Sequence, residues 1–241
     1  LIAEETKMDL QNILTQADGN VYALFSLNQG FNNDLGRYRS YIYAPWLEAS
    51  GMDNPTTIEE YEELLRYFKN NDMNENGKND EIPFISHKGR LHQLLSHLMQ
   101  PFIYSHSSMN YLYLNDDTIE AAFATDGWRE GIRWIHNLVK EDLISPLSFT
   151  QDAEQLLALS SASDKPVVGA TVAPPHSTID VEADLDQLME DWVMANVLEG
   201  PFGRVASYYQ VQPIPRFFIT KNCEEPEAAF RFGDYMLSEE M

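Results

Sequence analysis

Between Asp72 and Glu81 the chain reads Asp-Met-Asn-Glu-Asn-Gly-Lys-Asn-Asp-Glu. Side-chain oxygens fall at the first, third and fifth positions, Asp72, Asn74 and Asn76, and Gly77 follows at the sixth. Alternate residues of such a loop turn three oxygens toward one point, and a glycine accepts the sharp backbone turn that closes it. Lys78, at the seventh position, would contribute its backbone carbonyl, so its ammonium can point away. Many hard oxygen donors suit Ca²⁺ rather than Zn²⁺. An EF-hand would place a bidentate glutamate at the twelfth position, which here is Pro83. Asp80 and Glu81 can complete the shell instead if the loop closes early. The competing reading is a solvated turn, because Asn, Asp and Gly are common turn residues. The motif speaks for a structural cation, not for a reaction.

Other groups capable of chemistry are weaker. His87, His92 and His97 lie five residues apart, a spacing that does not put them on one helical face, so surface or capping roles are expected. The chain lacks a Gly-x-Ser-x-Gly nucleophile turn and a phosphate-cradling glycine loop. Acidic pairs such as Asp116-Asp117 and Glu224-Glu225 read as solvated. Trp128 falls on an apolar helical stripe and reads as core. Trp46, Trp134 and Trp192 could serve as stacking platforms for a sugar, with core packing the favoured reading for each.

Asp18-Gly19 followed by Val21-Tyr22-Ala23-Leu24-Phe25 suggests a turn entering a strand, residues 28–40 a polar loop, and Tyr41-Ile42-Tyr43 a second strand. Thr57 with Glu60 three residues on matches a capping box, and Ile58, Tyr61, Leu64, Leu65 and Phe68 repeat at helical spacing. The cation loop follows that helix directly. Further helices are expected at Leu91–Leu98, at Gly127–Glu141 with a Trp128, Ile132, Ile135, Val139 stripe, at Gln151–Leu159, at Leu185–Leu198, and from Pro226 with Ala229, Phe232 and Met236 as its apolar face. Val167–Ala170 reads as a short buried strand. Tyr208–Ile219 reads as a strand that Pro213 and Pro215 confine to an edge or a crossing segment. Helices interspersed with short strands predict an α/β fold.

Sixteen basic against 38 acidic residues give a formal net charge of −22, which repels phosphate backbones and argues against nucleic acid as a partner. No run of 18 apolar residues is present, so nothing in the sequence reads as a membrane span. Cys223 is the single cysteine, so no intrachain disulfide can form.

Taken in order, several stretches resemble the extracellular solute-binding proteins of group 1, the oligosaccharide- and alginate-binding lipoproteins of bacterial ABC importers. They are Asp18-Gly19-x-x-Tyr22-Ala23-Leu24, Trp46-Leu47-Glu48-Ala49-Ser50-Gly51 with Pro55-Thr56-Thr57, and Asp72 through Pro83. Glu141-Asp142-Leu143-Ile144-Ser145-Pro146 with Phe149-Thr150-Gln151-Asp152 follows, then Gly200-Pro201-x-Gly203 and Ile219-Thr220-Lys221-x-Cys223-x-x-Pro226-Glu227-Ala228-Ala229. The resemblance implies a periplasmic-binding-protein-like type II lobe, helix-rich with short strands, with ligand held in a cleft between two lobes. It also implies a structural Ca²⁺ held by Asp72, Asn74, Asn76, the Lys78 carbonyl, Asp80 and Glu81. Members carry a signal peptide, a lipid-modified cysteine and lobe-forming sequence on both sides of this region. The chain is therefore expected to be one lobe-sized domain, residues 1–241, with inter-lobe crossing segments near 28–43 and 207–219. Any membrane association would run through a lipid anchor absent from this chain.

The expected function is extracellular capture of a small polar solute, an oligosaccharide foremost, for delivery to the permease subunits of an ABC importer. The crossing segments supply aromatic faces and planar polar groups suited to a sugar: Phe31, Asn32, Asn33 and Arg37 in one, Tyr208, Tyr209 and Gln210 in the other, with Trp46 carried alongside them. The alternative is a calcium-stabilised glycoside-acting enzyme, which needs two carboxylates flanking a cleft; 38 acidic residues supply candidates without singling out any. A calcium-dependent assembly module of the dockerin kind would need a second copy of the loop, and the chain has one.

Overall fold

The computed structural model describes residues 14–27, 40–107, 110–160, 165–172, 190–204 and 213–236. In chain order the elements are β1 (Ala23–Leu27), β2 (Tyr41–Tyr43), α1 (Ala44–Ser50), α2 (Ile58–Asn70), α3 (Leu91–Leu98), β3 (Leu112–Asn115), β4 (Thr118–Ala121) and α4 (Asp126–Lys140). There follow α5 (Ala153–Ser160), β5 (Ala170–Thr171), β6 (Trp192–Met194), β7 (Pro213–Phe218) and α6 (Pro226–Met236). The fold is α/β, helix-rich with short strands, as expected.

The chain divides into two compact units: Leu1–Asn33 with Tyr209–Met241, and Asp34–Tyr208. The physical reason is strand pairing, since β1 pairs with β7 while β2 pairs with β5 and β6, and the two sheets share no strand.

In the larger unit, β2 is the middle strand of an antiparallel sheet ordered β5-β2-β6. Helix α2 begins as its sequence dictates. The Thr57 side chain accepts the Glu60 amide, and the Glu60 carboxylate reaches back to the Thr56 and Thr57 amides at 2.7 and 3.3 Å. The Thr56 amide, first among these donors, holds the Glu60 carboxyl below its ordinary range. Ile58, Tyr61, Leu64, Leu65 and Phe68 are all buried, the expected face. They join Trp46, Phe84, Leu94, Leu98, Trp134 and Leu138 in the main core. A second, smaller cluster gathers Ile85, Leu156, Val167, Val168 and Trp192 beside the sheet.

Helix α4 turns a different face inward than its apolar stripe predicts. Its buried residues are Gly127, Gly131, Trp134, Ile135 and Leu138, whereas Ile132 is exposed and Trp128 only half-buried against Tyr111. Close backbone approach is the cause. A Cβ on Gly127 would stand 2.6 Å from the Phe102 carbonyl oxygen, and one on Gly131 2.6 Å from Met99 Sδ. A correction falls at Leu185–Leu198. Residues 192–194 are strand β6, with Ile42 opposite Val193 and Tyr43 opposite Trp192; the β-prone Trp-Val-Met run takes the sheet edge beside β2. Residues 185–189 lie outside the described residues.

In the smaller unit, β1 and β7 form an antiparallel ladder whose register shifts between Leu24 and Phe25, where Phe25 faces Pro215. Proline cannot donate to a ladder, so β7 tolerates Pro213 and Pro215 where a central strand would not. Helix α6 meets this ladder at Gly233, whose missing Cβ would lie 2.7 Å from Phe217 and 2.9 Å from Leu24. Phe232 and Met236, expected on the buried face, are exposed.

Candidate functional site

The cation loop leaves α2 through Asn71, whose amide side chain donates to the Tyr67 carbonyl at 2.8 Å, and rejoins regular structure at Ile82. Within it the expected residues hold one another. Asp72 accepts from the Asn76 amide at 3.0 Å and the Gly77 amide at 2.8 Å. Asn74 Oδ1 accepts the Asn76 amide, and Asn76 Oδ1 accepts the Lys78 amide. The Asn74 and Asn76 side chains both donate to Asp80, at 3.2 and 3.0 Å. Gly77 has φ +75°, the left-handed turn the motif requires, and Glu75 has φ +52°.

Glu81 closes the ring. One carboxylate oxygen accepts the Met73 amide at 2.9 Å, eight residues back. The other, Oε2, is buried without a hydrogen-bond partner among the described residues. A buried carboxylate oxygen with no donor is costly to keep, and a cation is one partner that would satisfy it. The donor set is therefore compatible with a hard cation: oxygens of Asp72, Asn74, Asn76, Asp80 and Glu81 joined through one hydrogen-bonded loop. Three of these residues, Asp72, Asp80 and Glu81, are acids and two, Asn74 and Asn76, are amides. The three acids are not gathered to one point: the described residues contain no cluster of three or more His, Cys, Asp or Glu side chains that could hold a metal by themselves.

The expected sugar contacts fare differently. Phe31, Asn32, Asn33, Arg37, Tyr208, Tyr209 and Gln210 lie outside the described residues. Trp46 is described, and it needs correction: it is 2% exposed on α1, with its ring 5.4 Å from Phe68 and 6.1 Å from Tyr43 in edge-to-face contact. Its apolar faces are spent on the core, so it offers no stacking surface. Trp134 and Trp192 are core as well. His97, expected at the surface or as a cap, is fully buried. Its Nε2 stands 3.0 Å from the Ser40 hydroxyl, which accepts from the Tyr61 hydroxyl at 3.1 Å. Among the described residues no helix is long and apolar enough to cross a membrane.

The chain shares its α/β fold with extracellular solute-binding proteins. It superposes at a TM-score of 0.73 on an extracellular solute-binding protein from Bifidobacterium longum subsp. infantis, with 22% identity, covering 98% of this chain and 48% of that one. In sequence it is 26% identical over 162 residues to the fructooligosaccharide ABC transporter substrate-binding protein FusA of Streptococcus pneumoniae, covering 64% of this chain and 29% of that protein. The S. pneumoniae protein in complex with kestose matches at TM-score 0.67, with 22% identity over 97% of this chain and 47% of that one. Its EF-hand mutant in complex with fructo-nystose matches at TM-score 0.61, with 21% identity and the same coverage. No family model matches the chain. The chain thus spans about half the length of the solved proteins it resembles.

Proposed function

We propose that this chain is the sugar-capturing part of an extracytoplasmic solute-binding protein that hands an oligosaccharide to an ABC importer, and that it binds without turnover. One observation carries the reading: nearly the whole chain follows the fold of substrate-binding proteins, one of them in complex with kestose, and the relative detected by sequence is a fructooligosaccharide substrate-binding protein. The proposed contacts are Phe31, Asn32, Asn33, Arg37, Tyr208, Tyr209 and Gln210. All fall, in sequence, within the segments 28–43 and 207–219. Aromatic faces and planar polar groups of this kind suit a ring with hydroxyl groups. The whole protein would act outside the cytoplasmic membrane, held there by a lipid anchor, with importer permease subunits as its partner.

The proposal includes a structural Ca²⁺ held by Asp72, Asn74, Asn76, the Lys78 carbonyl, Asp80 and Glu81. The unpartnered Glu81 oxygen supports it, as does the likeness to a protein of which an EF-hand mutant is described. Bound there, the ion would offset the charge of the loop's carboxylates; the chain's own part is to hold the oxygens around it.

Calorimetric titration with kestose, a longer fructooligosaccharide and an alginate oligosaccharide, followed by chromatography of the recovered sugar, tests the reading. Saturable heat with at least one sugar, recovered intact, is the expected result. Sustained release of shorter sugars would overturn it in favour of the glycoside-acting alternative.

A further inference from the structure

Lys165 reaches back 90 residues to the cation loop, and its ammonium donates to the Glu75 carbonyl at 2.7 Å. Glu75 sits between the proposed ligands Asn74 and Asn76 at φ +52°, a left-handed conformation that residues other than glycine seldom adopt. Anchoring its carbonyl outward fixes the peptide planes on either side, and with them the directions of the Asn74 and Asn76 side chains toward Asp80. Two residues beyond Lys165 the same segment grips the exit of the loop. The Ile82 amide donates to the Val167 carbonyl at 2.8 Å, and the Gly169 amide donates to the Ile82 carbonyl at 2.9 Å. Val167 and Val168 are buried with Ile85 and Trp192, and the Gly169 carbonyl accepts the Tyr43 amide. The segment then becomes β5, paired to β2.

From this geometry we propose that Lys165 is a positioning residue for the loop, and that residues 165–170 tie its cation occupancy to the β5-β2-β6 sheet. The inference rests on the calcium reading above. Two effects of the ammonium oppose each other: as a charge it repels a nearby cation, and as a tether it pre-organises the oxygens. Lys165 is solvent-exposed, and mobile salt screens such a charge within about 8 Å at physiological ionic strength. The tether acts through a short, fixed hydrogen bond and is not screened in that way. It should dominate, as supporting hydrogen bonds around metal ligands commonly do, at about 10- to 100-fold in affinity.

The test is calorimetry with CaCl₂ on chelator-stripped protein, comparing wild type, Lys165→Met and Lys165→Arg at low and physiological salt. Lys165→Met should weaken Ca²⁺ binding about tenfold, the low end of that range for an exposed tether, and Lys165→Arg should restore most of it. Hydrogen exchange on the wild type supplies a second readout that needs no variant: the Ile82 and Gly169 amides should exchange more slowly with Ca²⁺ than with chelator. Equal or tighter binding by Lys165→Met, or unchanged exchange at both amides in a wild type that binds Ca²⁺, overturns the tether alone. A wild type that takes up no Ca²⁺ overturns the calcium reading and this inference together.

Discussion

The two oxygens of Glu81 have different roles, one capping the Met73 amide and the other buried without a donor. That asymmetry makes Glu81 the residue through which the calcium reading is most open to test. A ligand at about 100 times its dissociation constant adds about 2.7 kcal/mol to stability, or about 5–10 °C in melting temperature for a chain of this size. Chelation should lower the melting temperature by that order, with recovery in Ca²⁺ and much less in Mg²⁺, which demands a tighter octahedron. Glu81→Ala should lose the response; identical melting curves for wild type with and without chelator would refute the site. A second residue-scale outcome concerns Tyr61. Burial raises its phenol well above its ordinary value near 10. Its contribution is therefore complete below about pH 10 and is lost as pH rises past that value toward the folded-state one. Alkaline unfolding should move to higher pH in Tyr61→Phe, even though losing the Ser40 hydrogen bond costs about 1 kcal/mol near neutrality; circular dichroism between pH 9 and 12 would register both. At this scale the turn from Asp72 to Gly77 was legible, because Asp and Asn oxygens at alternate positions accept backbone amides and Gly77 takes the left-handed φ. Trp46 was not legible, because a tryptophan in a core and one in a sugar cleft leave the same trace in a sequence.

Helices α2 and α4 show where legibility stops at the level of elements. The face of α2 could be read residue by residue, since its buried positions are all large and its start carries a reciprocal cap. Reading α4 by the same rule rotated it, and Ile135 alone is shared between the expected stripe and the buried face. Apolar periodicity weights side-chain size, whereas α4 packs through Gly127 and Gly131, which carry no side chain. Two substitutions separate these logics by thermal melting. Thr57→Ala should cost about 1 kcal/mol, the usual loss of a cap. Gly127→Ala should cost about 1–3 kcal/mol by overpacking although alanine is the better helix former, because the atom it meets is backbone carbonyl and cannot swing aside. A neutral or stabilising Gly127→Ala would show that α4 is free to shift away from Phe102. The strand at Trp192–Met194 was misread for a related reason: three β-prone residues acquire their meaning only from β2 lying alongside, a contact between residues about 150 apart in the chain.

For the whole chain, net charge and exposed apolar surface pull in opposite directions. The charge of −22 keeps copies apart. The seven ion pairs among the described residues do little to offset it, being exposed and mostly local along the chain. Against this, the smaller unit leaves Phe218, Phe230, Phe232 and Tyr235 about half or more exposed on one strand and one helix. Among the described residues of this unit, a two-stranded ladder with one full helix, α6, offers little core in which to hide such rings. Salt should decide which force prevails, since the screening length falls from about 30 Å at 0.01 M to about 3 Å at 1 M while hydrophobic attraction persists. Sedimentation velocity should therefore find monomer at low ionic strength and growing self-association as NaCl rises toward 1 M. Phe230→Ser with Phe232→Ser should suppress that association without altering the chelation-dependent melting shift of the larger unit, because both residues belong to the smaller unit. Association that weakens with salt, or that survives the double substitution unchanged, would locate the contact in charged or other apolar surface and remove the α6 rings from the account.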